Sequence, residues 1–244
     1  MRAFLPAIAL FAAPLAAQLP AGDEILRKVD DNLGSATKRS TARMTIAGRG
    51  GTRTVESRSW IRGTTESFTE YLAPPRDAGT KMLKLGDQLW TYFPATDRTI
   101  LIAGHMLRQS VMGSDLSYED LMEDPKLFDL YRATVLREEA WRERPCWLLR
   151  LEARVPGLAY ETREMWVDRE RYVPLKENRY AKSGKLLKTT DVVEVARLGN
   201  RWVARKIVFR DVLKTGDGTT FEIESIEFDV VIPEHVFSKA SLRR

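Results

Sequence analysis

Residues 147–155 read WLLRLEARV and form the stretch that decides the class of fold. Apolar side chains occupy every odd position from Trp147 to Val155, and from position 150 onward arginine and glutamate stand between them. Alternation with a period of two is the pattern of a strand that buries one face. The stretch therefore predicts a β-strand whose odd-numbered side chains pack into a core.

The same period recurs on both sides of this stretch and predicts a long meander of strands. The predicted strands are residues 41–47, 54–61, 66–72, 81–85, 88–93 and 99–102 before it, and 160–167, 172–181, 186–195, 202–213 and 219–231 after it. Several are about twice the usual length, and long strands must coil, so a curved sheet or barrel is favoured over a flat sheet. The apolar parity changes between Ile223 and Ile226, which predicts a β-bulge near residues 224–225.

Three segments have helical patterns instead. Residues 23–33 repeat apolar side chains at helical spacing and are followed by Gly34 in the position of a C-cap. Residues 105–112 are consistent with a short helix. Ser117 to Asp120 has the pattern of a capping box, which predicts a second short helix that begins there and extends through Met122.

The N-terminus has the pattern of a signal peptide. Arg2 precedes an apolar stretch at residues 3–13, and Ala17 ends a small-residue cleavage site. The apolar stretch is too short to span a bilayer as a helix. The sequence therefore predicts a signal peptide over residues 1–17 and an exported, soluble, single mature domain over residues 18–244.

Composition excludes several classes of function. The chain has 244 residues, a net charge of +5, one cysteine and two histidines. A single cysteine, Cys146, rules out an intrachain disulfide framework and a cysteine metal cluster and predicts a buried, inert thiol. No nucleotide-binding motif is present, and basic residues alternate with acidic ones, which argues against nucleic-acid binding. We therefore expect no catalytic residues, no metal and no cofactor.

Two other features were weighed for chemistry. His105 and Ser114 lie near each other in sequence and leave a hydrolase as an alternative, although Ser114 lacks the surroundings of a nucleophile elbow. Acidic side chains are concentrated in residues 114–124, without the spacing of an EF-hand calcium loop. This pattern favours acids at a helix N-terminus and a solvated face.

Aromatic residues and methionines in the first half of the chain predict an apolar cavity. A curved sheet has a concave face, short helices can cover it, and methionine suits a surface that accepts varied apolar ligands. The alternative is that these side chains are ordinary core. The candidate ligand-binding residues are Phe68, Leu72, Leu83, Trp90 and Tyr92 on the sheet, and Met106, Leu107, Val111 and Met112 on the covering helices.

Several motifs stand out along the chain: LWTYFPA at residues 89–95, RTI at 98–100 and MGSDLSYEDL at 112–121, with looser matches at 74–80 and 232–238. Together they resemble the LolA-like family of outer-membrane lipoprotein-sorting proteins. The resemblance covers essentially the whole mature chain. It implies a mainly β (α+β) fold, an incomplete antiparallel β-barrel with short helices covering its concave face.

The resemblance also implies a function. LolA-like proteins hold acyl chains in an apolar cavity, so we expect a periplasmic carrier of lipid or lipoprotein acyl chains, without catalysis. A monomer in transient contact with a membrane-embedded transporter or receptor is expected. The alternatives are a non-enzymatic accessory or sensor protein of an envelope (RND-type) transporter or stress system, and an enzyme. The motif contributes six residues to which the resemblance assigns no role, Gly113, Ser114, Asp115, Tyr118, Glu119 and Asp120.

Overall fold

Thirteen antiparallel strands form one sheet in the computed structural model, which describes residues 19–48, 51–123 and 126–243. The predicted signal peptide and its cleavage site at Ala17 lie outside the described residues. No helix among the described residues is long and apolar enough to cross a membrane.

The strands follow one another along the chain with few interruptions. The α-helices are α1 (Gly22–Leu33), α2 (Tyr118–Met122) and α3 (Leu127–Leu130). The single short helix predicted for residues 105–112 is instead two separate 3₁₀ turns, Gly104–Arg108 and Val111–Gly113. The first six strands are β1 (Thr37–Gly48), β2 (Gly51–Arg62), β3 (Glu66–Ala73), β4 (Lys81–Leu85), β5 (Gln88–Phe93) and β6 (Arg98–Ile102). The other seven are β7 (Tyr131–Trp141), β8 (Arg144–Ala153), β9 (Thr162–Asp168), β10 (Pro174–Tyr180), β11 (Leu186–Leu198), β12 (Arg201–Asp211) and β13 (Thr219–Phe228).

The order across the sheet is β6-β5-β4-β3-β2-β1-β13-β12-β11-β10-β9-β8-β7. Strands β1 and β13 pair at its centre, so the first and last strands join two meanders. Strands β6 and β7 are the two edges, and within the described residues the sheet is not closed into a barrel. The predicted fold class, an incomplete and curved antiparallel barrel with few short helices, is confirmed.

Local predictions hold where the pattern is strong. Helix α1 packs Ile25, Leu26 and Val29 against strands β7 to β9. The predicted bulge is present, because Thr41 pairs with Ser225 while the next residue of β1 pairs with Ile223. Strand β7 was missed, because its charged side chains and a register shift after Val135 interrupt the period of two.

Strand β8 differs from the prediction that only one of its faces is buried. Its odd-numbered residues Trp147, Leu149 and Leu151 are buried as predicted. Cys146 and Leu148 are buried as well, so this strand is covered on both faces. It ends at Ala153, beyond which Val155 is 38% exposed.

Strands β2 to β5 also bury both faces, each against a different covering segment. The first covering segment, residues 103–123, is named the lid, and the face below it is the lid face. The second, residues 229–243, is named the tail and covers the tail face. Because neighbouring residues of a strand point to opposite faces, Met82 and Leu89 belong to the lid face while Leu83 and Trp90 belong to the tail face.

Candidate functional site

The predicted cavity residues fall on opposite faces of the sheet, which corrects the prediction that they line one cavity. The tail face holds Phe68, Leu83, Trp90 and Tyr92, packed with Phe237 and Leu242 of the tail. Leu72 has the same strand parity as Phe68 and is 43% exposed. The lid residues Met106, Leu107, Val111 and Met112 pack on the other face. Leu89 and Trp90 are both apolar, so the sequence pattern carried no signal for the face of β5.

A cavity of about 350 Å³ lies between the lid and the lid face. Its apolar part is lined by Met44, Val55, Tyr71, Met82, Leu89, Val111, Leu116 and Phe221. Of the nine predicted ligand-binding residues only Val111 is in this lining. Some of the missed side chains lie one position away from a predicted one, as Met82 does beside Leu83, and others, such as Met44 and Phe221, are on strands for which no ligand-binding residue was predicted.

The cavity exists because small side chains face the lid at the middle of β2 and β3. Ser57 and Ser59 on β2 and Ser67 and Thr69 on β3 line its wall. Ser59 and Thr69 hydrogen-bond to each other across the two strands, with 2.9 Å between their hydroxyl oxygens. Their hydroxyls are therefore paired, and these short side chains leave space where larger ones would have filled it.

Several polar contacts attach the lid to the sheet, and the first of the two largest groups of contacts is centred on Asp115. Its carboxylate accepts hydrogen bonds from the Thr219 hydroxyl at 2.6 Å and from the Asp211 backbone N–H at 3.0 Å. Lys214 donates to the Ser110 hydroxyl at 2.6 Å and to the carbonyl of Ser114. This attachment, named the root, fixes the lid to β12 and β13, and the side chains of Asp115 and Thr219 at its centre are buried.

The second attachment is α2, where the predicted capping box is confirmed. The Ser117 hydroxyl accepts the backbone N–H of Asp120, and the Asp120 carboxylate accepts the backbone N–H of Ser117 at 2.7 Å. Tyr118 is buried in the lid-face cluster. The backbone of Glu119 accepts the N–H of Glu123 at the end of this turn. The capping box fixes the direction in which the Asp120 carboxylate points.

Asp120 joins the lid to β10 and β11. Its carboxylate pairs with Arg179 at 3.2 Å and with Lys188, and it accepts the Tyr160 hydroxyl at 2.6 Å. Its side chain is 3% exposed. The prediction that the acids of residues 114–124 form a solvated face is therefore wrong for Asp115 and Asp120, because the fold brings distant partners to them.

A second carboxylate of the lid, Glu123, pairs with Arg163 of β9. Arg163 is 1% exposed and also pairs with Glu177 at 2.8 Å, which in turn pairs with Arg179 at 2.9 Å. Asp120, Glu123, Arg163, Glu177, Arg179 and Lys188 are named the latch. The latch borders the cavity, since Asp120 and Glu123 belong to its lining.

The latch shifts several pKa values. Burial alone raises the pKa of Asp120, but Lys188 and Arg179 outweigh burial and lower it to about 2. Burial likewise raises the pKa of Glu177, and Arg179 and Arg163 reverse the effect and lower it. Burial lowers the pKa of Arg163 to about 10 against the attraction of Glu177. Asp120 and Glu177 are therefore ionised at neutral pH.

A wider polar opening of about 880 Å³ lies beside the cavity. It is bounded by α1, α3 and the turn between β2 and β3, and charged residues such as Arg27, Asp31 and Asp129 line it. It shares Lys38, Gly63 and Thr64 with the cavity. The shared residues make this opening the mouth through which the cavity meets solvent.

His105, Ser114 and Cys146 lie apart from the cavity lining. His105 is exposed, whereas Ser114 is fully buried and its hydroxyl accepts the backbone N–H of Leu116 at 3.2 Å. Gly113 precedes it with a φ of +72° in the left-handed region, which glycine adopts without strain. Burial raises the pKa of the Cys146 thiol to about 11. Among the described residues, no group of three or more His, Cys, Asp or Glu could hold a metal ion.

Sequence reasoning also missed the cationic half of the latch. One signal was present, because Arg163 has the same strand parity as Met165 and Val167, which are buried. A charged side chain on an otherwise apolar face indicates either a buried ion pair or a site. Arg179 and Lys188 gave no such signal, because charged residues lie on both faces of β10 and of β11.

Comparisons with known proteins identify relatives of this fold. The model of a family described as "-like: Uncharacterized protein" matches residues 63–244. An outer membrane lipoprotein-sorting protein domain from Vibrio parahaemolyticus has 23% identity and a TM-score of 0.80, over 91% of this chain and 98% of its own. A DUF1329 family protein from Desulfovibrio piger has 22% identity and a TM-score of 0.82, over 91% and 97%. A LolA superfamily protein from Nitrosomonas europaea has 20% identity and a TM-score of 0.76, over 91% and 100%. No curated protein matches the sequence significantly.

Proposed function

We propose that this chain, which belongs to the family whose model matches residues 63–244 and resembles LolA-like proteins in fold, is a periplasmic carrier of lipid or lipoprotein acyl chains. The observation that carries the proposal is the cavity of about 350 Å³ between the lid and the lid face. Its apolar wall and polar rim suit an amphiphile, which has one apolar and one polar end.

The size of the cavity suits one acyl chain as its occupant. An apolar cavity of about 150 Å³ accepts benzene, so about 350 Å³ has room for one chain of roughly a dozen carbons. Each methylene removed from water contributes about 0.8 kcal/mol. Ten methylenes contribute about 8 kcal/mol before association costs, which corresponds at most to micromolar binding.

The two attachments of the lid support a cycle of loading and release without catalysis. The root holds residues 110–116 to β12 and β13, while the latch joins α2 to β9, β10 and β11. Because the root and the latch are separate, the lid can release the latch, together with the contact of Lys84 to the Met122 carbonyl, and keep the root. The acyl chain would then enter the cavity when the latch opens, while the root keeps the lid attached to the sheet. A carrier of this kind receives and delivers its cargo in transient contacts with a membrane-embedded transporter or receptor.

Filling the cavity tests the proposal directly. Thr69→Phe places a large side chain in the cavity wall, and Ser57→Leu does so from the neighbouring strand. Thr54→Phe is the matched control, because Thr54 is exposed and lies on the opposite face of β2 from Val55. We expect saturable binding of a fluorescent dodecanoyl probe to delipidated wild type, and at least tenfold weaker binding by both cavity variants.

The control should bind the probe as wild type does, and circular dichroism and urea unfolding check the fold of each variant. If folded Thr69→Phe and Ser57→Leu bound the probe as wild type does, the acyl chain would bind outside this cavity. No binding by delipidated wild type would contradict the carrier function and favour the accessory or sensor alternative.

A further inference from the structure

The charges of the latch are balanced only while the lid is closed. Arg163, Arg179 and Lys188 come from the sheet, as does one carboxylate, Glu177. The other two carboxylates, Asp120 and Glu123, come from the lid. When α2 moves away, three cations face one carboxylate, and the sheet presents a net charge of about +2 beside the cavity.

These cations are built into the sheet rather than lying on its surface. The side chain of Arg163 is 1% exposed, and those of Arg179 and Lys188 are each 13% exposed. The ring of Tyr131 lies 4.7 Å from the Arg163 guanidinium, and Glu177 holds both arginines in place. Buried cations that lose their partners are unstable unless an anion or water replaces the lost carboxylates.

One polar atom of this group lacks a partner even with the lid closed. The Nε of Arg163 is buried and, in the described part of the chain, has no hydrogen-bond acceptor. A guanidinium favours carboxylate or phosphate oxygens, which accept two of its N–H groups at once. The unpaired donor shows that the lid carboxylates do not satisfy this site completely.

We propose that Arg163, Arg179 and Lys188 bind the anionic headgroup of the cargo in place of Asp120 and Glu123. The inference rests on the proposed carrier function and names its substrate class, a single-chain amphiphile with a phosphate or similar dianionic headgroup. The acyl chain of the cargo occupies the apolar cavity, and its headgroup takes the position of the lid carboxylates, which border that cavity. The headgroup therefore competes with the lid, and binding of cargo itself opens the latch.

Three probes that share a twelve-carbon chain and differ in headgroup test the inference. They are dodecyl phosphate, dodecanoate and dodecyl maltoside, titrated below their micellar concentrations by competition with a fluorescent acyl probe. We expect dodecyl phosphate to bind at least tenfold more tightly than dodecyl maltoside, with dodecanoate between them. Inorganic phosphate is the fourth arm, and it should not displace the probe if the site takes a lipid headgroup rather than free phosphate.

Two latch variants separate headgroup binding from simple loosening of the lid. Asp120→Asn removes a competing carboxylate, so the affinity for dodecyl phosphate should rise about fivefold more than the affinity for dodecyl maltoside. Arg179→Gln should reduce the preference for phosphate over maltoside to less than threefold. Arg58→Gln is the control. Arg58 is an exposed arginine on the tail face of β2, where it pairs with Glu70 of β3.

The possible outcomes distinguish the two proposals. Equal affinities for the three headgroups, in wild type and in Asp120→Asn, would overturn the headgroup site and leave the acyl-chain carrier intact. An equal rise in affinity for all probes in Asp120→Asn would show that the latch only holds the lid closed and does not bind the headgroup. Displacement of the probe by inorganic phosphate would instead make free phosphate the ligand. Absence of binding by every probe would contradict the carrier function itself.

Discussion

The lid face and the tail face of strands β2 to β5 are built from alternate residues of the same chain and differ in how they are filled. On the tail face, Trp60, Phe68, Leu83 and Trp90 pack with Phe237 of the tail. A space of about 180 Å³ remains there, against about 350 Å³ on the lid face. Large side chains thus close one face around a core, and serine and threonine leave the other open.

The covering segments differ in the same sense. The tail is held by apolar burial, with Phe237 7% and Leu242 0% exposed. The lid contributes Val111 and Tyr118 to a core of its own, but its end is held by the ion pairs of the latch. Ion pairs can exchange one anion for another, whereas an apolar core has nothing to exchange. Under the proposed function, the tail face provides stability and the lid face exchanges ligand.

The largest expected effect is on stability and comes from the tail face. Leu83→Ala removes a fully buried side chain from a packed core, which costs about 2–5 kcal/mol. We expect the free energy of unfolding in urea to fall by that amount, and the dodecanoyl probe to bind within threefold of wild type. A stable Leu83→Ala protein that no longer binds the probe would reverse the roles of the two faces.

The next effect concerns the lid face and depends on pH. The pKa of Asp120 falls from the usual 3.8 to about 2 in the folded protein. A carboxyl with a lowered pKa stabilises the fold above its usual pKa, and the stabilisation is lost as the pH falls through the folded pKa. Between pH 5 and pH 2, wild type should therefore lose about 2 kcal/mol more than Asp120→Asn.

Urea unfolding of both proteins at a series of pH values measures this difference. The other titrating groups are common to the two proteins, so subtraction isolates Asp120. Parallel curves would show that the latch does not hold the lid in solution.

The smallest effect returns to the tail. The ammonium of Lys239 lies 3.7 Å from the centre of the Trp90 ring and is exposed to solvent. An exposed cation–π contact contributes about 0.5–1 kcal/mol, so Lys239→Gln should lower the free energy of unfolding by about 0.5 kcal/mol. Lys182→Gln, at an exposed position in the turn between β10 and β11, controls for the loss of charge. A larger loss from the control would assign the effect to net charge rather than to the ring contact.

The sequence predicts what depends on neighbours in the chain. The capping box of Ser117 and Asp120 and the bulge at residue 224 are local patterns, and both are confirmed. Periodicity fails in β5, because Leu89 and Trp90 are both apolar and each face has its own cover. The arrangement of the latch could not be predicted, since Asp120 and Arg179 are 59 residues apart and meet only through the fold.

The pairing of β1 with β13 has a consequence for the order of folding. Thr41 and Ser225 hydrogen-bond across this seam although they are 184 residues apart in the chain, whereas most other strands pair with their immediate neighbours. Hairpins of neighbouring strands form quickly, and a contact between distant residues must first pay the entropy of closing a long loop. We therefore expect the seam to form last in folding. Met44 and Phe221, which face each other across it, both line the cavity. Neither meander contains the complete cavity on its own, so the cavity is completed only when β1 pairs with β13.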